Sequence, residues 1–172
     1  MANLTTTITE SITLNGATRG STQSVVISDI DKTAEKIVEC PGGSKTGAET
    51  IIGNWAKATN SAAKYQSYNY SNSKYIRVTN LDAEQSIEVG FVSNGMDDQC
   101  AEGEATLDSY RVKLHAGQSH ILWDSATGKK GETTAPRFTS VALTNLSYIV
   151  IFNPTSGETA REVLVELFVA GQ

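Results

Sequence analysis

The stretch YRVKLHAGQSHILWDSA, residues 110–126, holds both histidines of the chain, His115 and His120, with Ser119 and Asp124 beside them. It is either a catalytic or metal-binding cluster or the end of a hairpin that carries two imidazoles. If the chain turns over Ala116 to Ser119, one register pairs His115 with His120, Leu114 with Ile121, Lys113 with Leu122, Val112 with Trp123 and Arg111 with Asp124. That register gathers Val112, Leu114, Ile121 and Trp123 on one apolar face and sets an opposite-charge pair across the strands. The two histidines then flank the loop with Cβ atoms about 5 Å apart. There is no third histidine, and no carboxylate or nucleophile is brought within hydrogen-bond distance by spacing alone. The stretch therefore reads as the tip of a strand hairpin.

Strand signals continue outward in both directions. TTTITESITL (5–14) alternates Ile8, Ile12 and Leu14 with hydroxyl residues, and the Asn-Gly after it is the strongest short hairpin signal. With QSVVIS (23–28) it forms one expected hairpin over 5–28. EKIVECP (35–41) is a third strand, stopped by Pro41. KYIRVTN (74–80), a turn at LDAEQ, and SIEVGFVS (86–93) read as a meander. SYIVIFNP (147–154) and REVLVELFVA (161–170) close the chain across a TSGETA turn, and the nearly all-apolar SYIVIF suits a strand covered on both faces or meeting another subunit. About nine or ten short strands spaced by turns predict an all-β antiparallel sandwich or jelly-roll-like barrel, as one domain over 1–172, with at most a short helix near 53–60.

Composition agrees. The 172 residues are 39% hydrophobic and 19% charged, with Gly abundant and only three prolines. The net charge of −5 comes with no Lys/Arg cluster, which argues against a nucleic-acid surface. No apolar run is long enough for a spanning helix, and the N-terminus lacks the basic and apolar regions of a secretory signal. Sequons at Asn3, Asn69 and Asn145 are then chance features of a Ser/Thr-rich chain.

Residues 42–73 form an excursion of small and polar residues carrying Trp55, Tyr65, Tyr68 and Tyr70. Tyrosine and tryptophan are enriched at interface hot spots, so these four, with His115 and His120 at the loop, are the candidate partner-contact residues. Packing of the same segment over the core is the competing reading. Cys40 and Cys100 are two unpaired thiols if the chain stays in a reducing compartment and a disulfide if it leaves one. The acidic loop 94–108 lacks calcium-loop order, and CPGGSKTG lacks the phosphate-loop pattern. With no G-x-S-x-G and no paired carboxylates either, no catalytic residue, cofactor or metal is assigned, and the chain is not read as an enzyme.

MANLTTTITESITLNG (1–16), YIRVTNLD (75–82) and KLHAGQSHIL (113–122) together resemble small virion structural proteins of tailed phages, especially those infecting marine cyanobacteria. The resemblance implies a capsid-associated or tail-associated β-sandwich with no catalytic residues to carry over. On that basis the expectation is a decoration or cement protein of the outer capsid shell. It would be made in the host cytoplasm, reside in the virion as a homo-oligomer, and contact the major capsid protein or other virion proteins. A tail, neck or fibre module is the alternative, as is a carbohydrate-binding adhesion module that stacks sugars on Trp55 and the tyrosines.

Overall fold

A computed structural model of the chain describes residues 2–43, 47–55, 73–93, 108–123 and 146–171. Ten strands run through it: β1 (Ala2–Leu14), β2 (Ala17–Ile30), β3 (Lys32–Cys40), β4 (Ala48–Asn54), β5 (Ser73–Asn80), β6 (Ile87–Ser93), β7 (Asp108–Leu114), β8 (Ser119–Trp123), β9 (Leu146–Asn153) and β10 (Val163–Gly171). A short 3-10 turn at Gly157–Thr159 precedes β10, and among the described residues there is no α-helix. Of the stretch near 53–60, Gly53 and Asn54 belong to β4, and 56–60 lie outside the described residues.

The strands form two four-stranded antiparallel sheets, ordered β3-β10-β5-β8 and β4-β9-β6-β7, and a separate hairpin β1-β2. Successive strands alternate between the two sheets except for β6 and β7, which are neighbours in one. This is the eight-stranded jelly roll, one of the arrangements by which antiparallel sheets share a single core. The expected sandwich is therefore present, but its pairing is long-range. β5 and β6, read as consecutive strands of a meander, lie in different sheets, and so do β9 and β10.

Alternation decides what each strand buries. On β10, Val163, Val165, Leu167 and Val169 face the layer between the sheets, and Ile76 and Val78 do so from β5. Ile149 and Ile151 of β9 and Ile87, Val89 and Phe91 of β6 meet them from the other sheet. β9 and β10 are interior strands of their sheets, which is why their sequences are so apolar. Lys36 on β3 lies opposite Leu167 and so stands on the inward side of its strand; burial lowers the pKa of its ammonium.

Buried asparagines close two of the sheet-to-sheet crossings. Asn153, at the end of β9, donates from Nδ2 to the Cys40 and Arg161 carbonyls, each at 2.8 Å. Its Oδ1 accepts from the Thr155 amide at 3.0 Å and the Thr155 hydroxyl at 2.8 Å. Asn80, at the end of β5, donates to the Gln85 carbonyl at 2.7 Å and the Leu114 carbonyl at 3.3 Å, and accepts from the Asp82 amide at 3.1 Å. Both satisfy backbone groups that the loops would otherwise bury unpaired. In the second loop, burial works against the Asp82 carboxylate. The Gln85 and Glu84 amides and the Arg161 guanidinium at 2.7 Å outweigh it and hold the carboxyl below the usual range.

The β1-β2 hairpin turns at Asn15 and Gly16, whose φ values of 52° and 77° are those the Asn-Gly turn requires. Only Asp31 separates β2 from β3, and its amide donates to the Gly171 carbonyl at 2.9 Å. Leu4, Val25, Ile27 and Ile30 at the hairpin base pack on Tyr75, Ile121, Phe168 and Ala170, on the outer face of the β3-β10-β5-β8 sheet. Lys74 adds a hydrogen bond to the Ser28 carbonyl at 3.1 Å. Beyond that base the strands run on as an exposed arm.

Candidate functional site

The hairpin expected over 110–124 does not form. β7 pairs with β6, as Leu114 with Ile87 and Val112 with Val89, while β8 pairs with β5, as His120 with Val78 and Leu122 with Ile76. Residues 115–118 are thus an arch between the sheets. Gly117 sits at φ 71°, its amide bonded to the Asn80 carbonyl at 3.0 Å, and the Asn80 amide bonds back to the Gln118 carbonyl at 2.9 Å. The His115 amide donates to Gln118 Oε1 at 3.0 Å. The expected apolar face divides accordingly. Val112 and Leu114 point into the core with Leu122, whereas Ile121 points outward, beneath the arm base. The expected partner of Arg111, Asp124, lies outside the described residues. Arg111 instead comes within 3.8 Å of both Glu49 and Glu88, an exposed arrangement worth little.

The two histidines are consequently separated in role. His115 is exposed at the arch. His120 is half-buried, its ring 5.4 Å from that of Phe91 and 5.9 Å from that of Tyr110, two side chains of the opposite sheet. Its Nε2 is buried without a hydrogen-bond partner among the described residues, and burial lowers the imidazole's pKa. The three rings meet across the two sheets, and a neutral imidazole suits that contact best. Among the described residues no three metal-ligating side chains come together.

This placement carries a pH dependence. The unfolded chain takes up a proton at the ordinary imidazole value near 6.5, and the folded chain only below it. Between those two values the unfolded state binds more protons, so stability rises with pH across the window and falls as pH drops below about 6.5. Denaturant melts at stepped pH should show that loss, and His120→Phe should flatten it; an identical slope in the variant would remove His120 as its source.

Trp55 is in the core rather than on the surface, 1% exposed. Its Nε1 donates to Ser73 Oγ at 2.9 Å, so the indole joins the exit of β4 to the entry of β5. Gly53 makes room for it, since a Cβ there would come within 2.5 Å of the indole ring. Core packing, one of the two readings of this segment, thus describes Trp55. Tyr65, Tyr68 and Tyr70 lie outside the described residues, as do Cys100 and all of the acidic loop 94–108 except Asp108, which begins β7. Cys40 is a fully buried free thiol, its pKa pushed up to about 11 by that burial, which leaves it inert as a nucleophile.

The surface feature that sequence reading assigned only as a hairpin is the arm. Directly opposed residues share a face. Thr7 with Ser24, Thr9 with Thr22 and Thr13 with Thr18 make one face a ladder of hydroxyl pairs at 3.0–3.4 Å. The other face carries Leu4, Ile8, Ile12 and Leu14. The period-two pattern of TTTITESITL was the available signal, and the missing information was that only the base of the apolar face has a platform.

No family model matches the chain, and no curated protein matches it. Among solved structures, a chain of the Mud crab tombus-like virus, determined by cryo-EM, is similar at a TM-score of 0.28 and 11% identity, over 100% of this chain and 82% of that one. At that score the likeness carries no argument; the jelly-roll assignment stands on the strand order itself.

Proposed function

We propose that this chain is a virion structural protein that binds the outer capsid shell of a tailed phage and stabilises it as a decoration, or cement, protein. The observation that carries the reading is an eight-stranded jelly roll with an amphipathic arm projecting from one sheet. The jelly roll recurs in viral capsid domains as well as in lectins and cupins, so the fold alone does not select among them. The resemblance of residues 1–16, 75–82 and 113–122 to phage virion proteins favours the first. Attachment of this kind needs no chemistry. It needs contact area and many copies, because repeated weak contacts multiply into firm binding.

Of the residues that the carbohydrate-binding alternative invokes, Trp55 is inside the core and presents no ring for a sugar to stack on, and Tyr65, Tyr68 and Tyr70 lie outside the described residues.

The test is to separate purified phage particles into heads and tails, probe both with antibody raised to this chain, and reconstruct the head. Heads should carry the protein as density on the outer shell. Protein confined to tails would replace this reading with the tail or neck alternative, and absence from both would overturn a virion role.

A further inference from the structure

The outer end of the arm presents Ile12 at 60% and Leu14 at 56% exposure, with Ile8 on the same face. Arg19, opposite Ile12, is the one basic residue there and belongs to no ion pair among the described residues. A second open patch lies on the outer face of the β3-β10 edge. Ile37 is 62% and Leu164 43% exposed, and they are diagonal neighbours across the two strands. Glu39, directly opposite Leu164, is likewise in no ion pair among the described residues.

We infer that the outer end of the arm docks on the β3-β10 face of a second copy of this chain, with Ile12 and Leu14 against Ile37 and Leu164 and Arg19 set against Glu39. Two observations select a second copy as the occupant. The base of this same apolar face is already seated on the outer face of this same sheet, where Leu4, Val25 and Ile27 cover Tyr75, Ile121 and Phe168. The outer end continues that stripe beyond its own platform. The patches also match in charge: Arg19 beside the arm's Ile12 and Glu39 beside the sheet's Leu164 each belong to no ion pair among the described residues. Asp31 and its bond to Gly171 keep the base at home, so the contact is made by reaching out rather than by exchange of the whole hairpin. Because it joins two different patches, copies close reciprocally as a pair or head to tail as a ring, and the mass distinguishes these.

Sedimentation equilibrium of the full chain over a concentration series tests this. The wild type should self-associate. Ile12→Asp on the arm and Ile37→Asp on the sheet should each weaken association at least about tenfold, with circular dichroism and melting unchanged, because both side chains are exposed. Arg19→Glu and Glu39→Arg should each weaken it, and the double reversal should recover most of the loss. A wild type that stays monomeric overturns the inference, and so does association that ignores Ile37→Asp or is not rescued by the double reversal. The charge pair keeps the test decisive if an aspartate variant fails to fold. Absence of the chain from phage particles would overturn the virion reading and leave this result unchanged.

Discussion

Trp55→Ala is expected to lower stability by about 3–5 kcal/mol, the range for emptying a large aromatic site in a core. For a chain of this length that corresponds to a fall in melting temperature of roughly 6–20 °C. The indole is fully enclosed, and its neighbours are strand residues of both sheets that have little freedom to collapse into the space. The substitution also leaves the Ser73 hydroxyl, buried with its residue, without the Nε1 donor it accepts from at 2.9 Å. Trp55→Phe keeps much of the volume but not that bond, and should fall between wild type and alanine. Chemical denaturation checks both; a loss under about 1 kcal/mol for alanine would show that the site is not the packed core position described.

Asn153→Leu should cost at least about 3 kcal/mol, although the replacement is close in size and more apolar. The loss arises in the groups left behind: the Cys40 and Arg161 carbonyls lose donors, and the Thr155 amide loses its acceptor. Removing one partner from a buried network costs more than the bond is worth, because the orphaned groups stay out of water. Asn153→Asp sharpens the point. Its carboxylate keeps the acceptor but faces two carbonyl oxygens, so its folded-state pKa is raised. The folded protein then holds a proton that the unfolded one releases, and the deficit relative to wild type should shrink as pH falls. A deficit that is flat with pH would mean that the Asn153 amide is not the hub of these bonds.

Local chemistry announced most of the strands. The Asn15-Gly16 turn, the stop at Pro41 and the apolar runs of β9 and β10 were legible because each depends on neighbours in sequence. Pairing was not legible, and 110–124 shows why. β8 is apolar on both faces: Leu122 serves the core, and Ile121 serves the arm base, whose residues lie about a hundred positions earlier. Without that cover, Ile121 and Trp123 are most simply paired with Val112 and Leu114, and the arch looks like a hairpin. Trp55 misled for a related reason. An aromatic among small polar residues suggests contact with a partner, but its environment is set by Gly53 two residues away and Ser73 far along the chain. The buried asparagines did leave a signal, an apolar strand ending in Asn with Asp or Thr two residues on, in TNLD and FNPT, where a side-chain oxygen caps the turn.

Lys36 has a consequence for how copies avoid one another. β3 is the rim of its sheet, and a rim strand offers free amides and carbonyls to any chain able to lie alongside it. An ammonium on the inward side of that strand has to be kept near water, and a stranger's strand laid along the rim would bury it further. Crowding therefore meets a built-in obstacle to fibre growth at this border, and copies are left to meet through their faces.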